Sequence, residues 1–268
     1  MSCYTARKVA TTTPKAWHKW VKQAAVLCAI FAAWQLAATA GVWSELILPA
    51  PRTVWLTFVA MLRSGELLEH VWVSTTRVII GFAISFVLAF FLGMLAGLKP
   101  RVTHYYDHVL EFLRHVPPLA LIPLLILWFG IGETSRIVII VLTMFFPVYF
   151  NVRKGFLSCD PKLLEVGETL GMNSAQRFVR IVVPQALPNI LVGMRVGLGF
   201  AWRAIIGAEM VAAAAGLGYF IWHARQMSRS AAVVVGILTI GVIGMLFDAL
   251  FRVIIKRAIK GGVDDSWS

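Results

Sequence analysis

Charge is scarce in this sequence, and acidic charge is scarcest. Only 14% of the residues are charged, with 13 Asp and Glu against 25 Lys and Arg. A soluble domain carries about a quarter charged residues, so the shortage excludes an ordinary soluble globule. Cysteine is equally sparse. Cys3, Cys28 and Cys159 share no oxidising compartment and no metal-ligand spacing with His, which argues against a structural disulfide or a metal site. The alternating segments of about ten residues that build a transmembrane barrel are missing too. The six His are scattered and the few carboxyls form no cluster, so nothing suggests a membrane-embedded enzyme.

What is present is apolar sequence in long runs. Hydrophobic residues make up 59% of the chain and the mean hydropathy is +0.78. Several runs supply the roughly 20 apolar residues that cross a ~30 Å hydrocarbon core. The expected spans are 24–41, 70–98, 105–130, 137–152, 186–214 and 231–251, which makes an all-α membrane protein of six helices. Most of the 25 Lys and Arg fall in the N-terminal tail through Gln23, the 99–104 and 153–185 connections and the C-terminal tail. The alternate connections hold only Arg52, Arg63, Arg136, Arg225 and Arg229. That asymmetry places both termini in the cytoplasm. The net charge of +12 is thus a topology signal, and a nucleic-acid partner is not expected. The ATA at 38–40 looks like a signal-peptide cleavage site, but the run from Ala24 to Ala40 is longer than a usual signal core and is read as an uncleaved span. The chain divides into a cytoplasmic tail 1–23, one transmembrane domain 24–256 and a cytoplasmic tail 257–268.

Prolines and buried charge mark the places where the spans depart from plain helix. Pro49 and Pro51 end the first helix, and 52–66 then resumes helical spacing as a short interfacial helix with Trp43 and Trp55 at headgroup depth. In the third span Pro117, Pro118 and Pro123 free backbone carbonyls that need a partner in the bundle or a water-lined cavity. A broken span of this kind is either a pathway element or a structural kink. Away from span ends the ionisable residues are Arg195, Arg203, Glu209 and Asp248. Such groups usually face the bundle interior or a cavity. Arg203 and Glu209 are about 600° apart around a helix and point in different directions. Arg203 suits an anion in the translocation pathway, held by paired N–H donors; the alternative is neutralisation by Asp248 or another carboxylate. The Gly193-x3-Gly197 spacing predicts close helix contact.

One polar stretch, EVGETLGMNSAQRFVRIVVPQALP at 165–188, lies between two apolar runs. Asp160 is a good N-cap, with Pro161 in the first turn. Gly171 supplies a left-handed stop after Leu170. Asn173 with Gln176 then forms a near capping box for a second helix carrying Phe178, Ile181 and Val182 on one side and Arg177 and Arg180 on another. Pro184 is expected to end that helix and Pro188 to open the next span. The result is a capped cytoplasmic hairpin over 160–184, either lying along the interface or standing out as a dock for another protein.

The spacing Glu165-x5-Gly171-x9-Ile181-x2-Pro184 resembles the EAA signature of ABC importer permeases, with Val166 and Gly167 where that family usually has two alanines and Val183 in place of a common leucine. ILPAPRTV (47–54), RHVPPLALIPLLILWFGIGETSRI (114–137) and GLGFAWRAIIGAEMVAAAAGLGYFI (197–221) are similar to the nitrate/sulfonate/taurine group, nearest to aliphatic sulfonate permeases. The resemblance implies a type I importer fold in a bacterial inner membrane and a homodimer of this chain. It also implies two cytoplasmic ATPase subunits and a periplasmic binding protein that delivers the solute. The hairpin would sit in a groove of the ATPase, with Glu165, Glu168, Leu170, Gly171, Met172, Asn173, Arg177, Phe178, Ile181 and Pro184 at that interface. Leu170 and Phe178 would fill the groove, and Glu165 and Arg177 would make polar contacts across it. Arg203, Glu209, Pro117 and Pro118 are the candidate pathway residues. No catalytic residue and no cofactor is expected in this chain, because ATP and Mg belong to the ATPase and no G-x-x-x-x-G-K-[ST] loop occurs. Aliphatic sulfonates are the first expectation for the solute, then taurine or nitrate; an autonomous carrier or channel is the alternative.

Overall fold

Small residues at every fourth position decide how the longest helices pack. The structure, a computed structural model, describes residues 16–41, 43–103 and 105–258; Cys3 and most of both tails lie outside them. The chain opens with α1 (Ala16–Thr39), α2 (Pro51–Ser64) and α3 (Glu66–Leu98). In α3 the residues Arg77, Gly81, Ser85, Ala89, Gly93 and Gly97 are all buried, one above another along a single face. That face lies on α7 (Glu133–Leu157) so closely that a Cβ on Gly93 would stand 2.9 Å from the Tyr149 carbonyl oxygen. Ser85 Oγ also donates to Val141 O at 3.0 Å.

The prolines break the third span sharply. Between α3 and α7 come α4 (Pro100–Thr103), α5 (Asp107–Leu113), a 3-10 turn (Pro118–Leu121) and α6 (Ile122–Phe129). The two arms around the break meet at 86°. Pro117 and Pro118 have no N–H to continue α5, and the chain turns on the Ala120 N–H to Pro117 O bond of 3.0 Å. Asp107 ties the start of this segment to α7 through two bonds from Arg153, 2.7 and 2.9 Å.

After α7 come α8 (Pro161–Thr169), α9 (Ser174–Arg177), a π turn (Phe178–Val182) and α10 (Val183–Ala212). The expected stop at Pro184 does not occur. The helix runs without interruption from Ser174 to Val211, 38 residues, and both Pro184 and Pro188 lie inside it. The wider turn absorbs the proline geometry, Val183 N bonding back to Phe178 O. α10 packs antiparallel on α7, and Gly193 and Gly197 meet it as their spacing predicts: a Cβ there would stand 2.7 Å from Asn151 Cβ and 2.8 Å from Met144 Cγ. The chain closes with α11 (Leu217–Gln226) and α12 (Ser230–Ala258).

Among the described residues four helices are long and apolar enough to cross a membrane, or five if the bent pair is counted as one span. The remaining expected span is the shorter apolar segment Ala24–Thr39 of α1, held to the rest by a Trp34 Nε1 bond to Pro49 O at 3.1 Å. Phe91, Leu92, Leu238 and Met245 are exposed on α3 and α12. Outward apolar faces over internally bonded helices suit a lipid solvent. Among the described residues there is no strand.

Candidate functional site

The hairpin forms as its caps dictate. Asp160 Oδ1 accepts from Lys162 N at 2.9 Å, and Pro161 takes the first helical position. Gly171 adopts φ 71°, and Gly171 N and Met172 N return to Glu168 O and Gly167 O at 2.9 and 3.0 Å, closing α8. Asn173 and Gln176 make the full capping box, each backbone N–H bonded to the other's side chain at 2.9 Å. The two arms pack where Gly167 leaves room, with Ile181 Cδ1 only 2.8 Å from where a Cβ would be. Arg177 pairs with Glu168 across the turn.

The hairpin's side chains divide into anchors and outward residues. Phe178 stacks on Phe156 of α7, centroids 6.2 Å apart and planes 1° from parallel, so it fastens the hairpin to the bundle rather than reaching outward. Ile181 is half-buried and Pro184 lies on the surface of α10's first turn. Leu163, Val166 and Leu170 are 45%, 52% and 70% exposed on α8. At i, i+3 and i+7 they form one apolar stripe, with Glu165 exposed beside them. Leu170 was foreseeable from its place before the turn; Leu163 and Val166 appear only once α8's free face is known. Cys159, at the hairpin's base, has its thiol pushed up by burial and then by the charge of Asp160.

At the opposite end of the bundle four charged residues interlock. Arg77 donates to both oxygens of Glu133 at 2.7 and 2.6 Å, to Glu209 Oε1 at 2.8 Å and to Ala215 O at 2.7 Å. Glu209 also accepts from Ser74 Oγ and from Gly218 N at 2.9 Å, and Arg136 pairs with Glu133. Ser74 Oγ in turn accepts from Leu217 N at 2.8 Å. Gly216 (φ 115°) and Gly218 sit where any Cβ would strike the Glu209 side chain. Two arginines and two glutamates thereby seat the start of α11 on α3, α7 and α10. Glu209 is only 1% exposed and faces no open space.

Arg203 is placed differently. Asp248 is bonded by Arg195 at 2.6 and 2.9 Å and by Arg252 at 2.9 Å. No carboxylate pairs with Arg203 among the described residues; its guanidinium lies over the Phe200 ring, 5.9 Å from the centroid. Arg203 is exposed, as are Val196, Phe200 and Val211 along the same side of α10. Leu119, from the turn that Pro117 and Pro118 create, lies over Gly207, 2.9 Å from where its Cβ would be. Arg203 and the proline break are thus brought to one surface, and Glu209 is not.

Solved transporter chains share this fold: the inward-facing MetNI methionine ABC transporter superposes with a TM-score of 0.64 at 16% identity, over 72% of this chain and 96% of that one. An amino acid ABC transporter solved with histidines gives 0.61 at 18% identity, over 75% and 98%. Residues 71–260 match the family described as binding-protein-dependent transport system inner membrane component, and the chain belongs to it. It is the multi-pass permease component of an ABC importer. It is 41% identical to a Bacillus subtilis aliphatic sulfonates transport permease protein over 91% of this chain and 88% of that one. The corresponding Escherichia coli protein is 39% identical, over 82% and 83%, and the E. coli taurine transport system permease 33% identical, over 86% of each.

Proposed function

We infer that this chain carries small organic sulfonates across the inner membrane, driven by ATP hydrolysis in a separate subunit that docks on the 160–184 hairpin. The carrying observation is the exposed apolar stripe Leu163, Val166 and Leu170 on a hairpin whose every end is capped and whose base is stacked on α7. A rigid, projecting, partly apolar helix outside the apolar spans is a surface made to be covered. The two sulfonate permeases among its relatives support the solute class, with taurine or nitrate next.

In this reading two copies of the chain bind two ATPases, and a periplasmic binding protein delivers solute to the end that carries α11. Six spans leave both termini in the cytoplasm. Glu165, Leu170 and the turn at Gly171, Met172 and Asn173 meet the ATPase. Glu168 and Arg177 hold the turn's shape, and Phe178 and Ile181 carry its motion into α7 and α10. The solute passes along α10's exposed side, by Arg203 and the turn at Pro117 and Pro118. Glu209 braces the bundle beside that route.

Co-purification tests the docking. The tagged wild-type chain, extracted in detergent, is expected to bring down an ABC ATPase; Gly171→Asp is expected to insert normally but to lose the ATPase and transport. An ATPase retained by the variant at wild-type yield sinks the docking role.

A further inference from the structure

We propose that Arg203, Phe200 and Leu119 form a membrane-embedded site that binds an alkanesulfonate by head and tail and disfavours a zwitterion such as taurine. This rests on the transport reading above and adds to it a place and a preference. A charge several turns inside an apolar helix is costly unless it meets a partner or water. The neighbouring charges are engaged elsewhere: Asp248 by Arg195 and Arg252, Glu209 by Arg77, Ser74 and Gly218. Among the described residues the Arg203 guanidinium rests only on Phe200, leaving its planar N–H donors for an external anion. Those donors match the paired oxygens of a sulfonate, and the charge persists at every relevant pH.

The surroundings suit an alkyl tail beside that head. Phe200 is 47% and Leu119 46% exposed, Phe200 about one turn before Arg203 and Leu119 against Gly207 about one turn after it, and Gly199 has nothing within 4 Å of where a Cβ would be. A short alkyl chain laid against these side chains is removed from water, and each added methylene adds to the gain. A terminal ammonium in the same place would lie beside a guanidinium, with the nearby carboxylates already engaged. The proline break matters here because it alone carries Leu119 to Gly207.

The test is uptake of radiolabelled methanesulfonate, butanesulfonate and taurine by cells expressing the complete transporter. Each is supplied at saturation, so that capture outside the membrane is not limiting. Arg203→Gln is expected to lower butanesulfonate uptake at least tenfold, with Arg203→Lys intermediate because it keeps the charge but loses the fork. Phe200→Ala is expected to shrink the butanesulfonate to methanesulfonate ratio several-fold. Each variant is checked for ATPase co-purification and for the size of the detergent complex. Unchanged uptake in Arg203→Gln overturns the proposal. So does uptake lost together with the paired assembly, which would make Arg203 a contact between copies. Wild-type cells that take up none of the three solutes would overturn the transport reading itself.

Discussion

Among single residues Glu209 holds the most. Its carboxylate accepts from a guanidinium, a hydroxyl and the Gly218 amide at the start of α11, and its side chain is fully buried. Glu209→Ala leaves Arg77 short of a partner in a low-dielectric site and is expected to destabilise the protein by about 3–5 kcal/mol. Ser74→Ala removes a hydroxyl bonded to that carboxylate and to the buried Leu217 N–H, and is expected to cost less, about 1–3 kcal/mol. Thermal unfolding of the two variants in detergent checks the order, and equal midpoints would refute it. Cys159 offers a gentler probe. Burial and Asp160 hold its thiol protonated above the usual range, so alkylation at neutral pH is slow and quickens as pH rises through the raised value. Asp160→Asn keeps a competent N-cap while removing the charge, and is expected to speed alkylation at pH 7. A rate unchanged by that substitution would show that burial alone sets the thiol.

At the scale of the element, the hairpin turn depends on one left-handed residue and one box. Gly171→Ala meets no steric neighbour, so its cost is the left-handed backbone alone, about 1–2 kcal/mol. Asn173→Ala removes the capping box for about 1 kcal/mol. Both are expected to raise hydrogen exchange over 168–176 without altering exchange in α7; protection equal to wild type would discount the caps. These elements were legible in the sequence because caps are local: Asp160, Gly171 and the Asn173–Gln176 pair act within a few residues. The proline break was legible for the same reason. The passage of the helix through Pro184 was not, since a π turn and packing on α7 override the local stop. Nor was the cluster at the far end, where Arg77 stands 56 residues from Glu133 and 132 from Glu209.

At the scale of the whole molecule the uneven distribution of Lys and Arg predicts orientation. A fluorescent protein fused after Ser268 is expected to fluoresce, and alkaline phosphatase fused there to stay inactive; the opposite pair of results would invert the topology. Apart from Arg203, the basic residues within the spans meet carboxylates inside the bundle: Arg77 and Arg136 against Glu133 and Glu209, Arg153 against Asp107, Arg195 against Asp248. Ion pairs link α3 to α7 and α10, and α10 to α12.

The unbroken helix from Ser174 to Val211 is about 57 Å long. It is a lever whose short arm lies in the hairpin and whose long arm crosses the bundle. A tilt of about 5° at one end displaces the other by about 5 Å over that length, roughly the width of a small solute. The π turn at Phe178–Val182 and the bond missing at Pro188 are its two irregular points, so their stiffness would set how much of a push at one end arrives at the other.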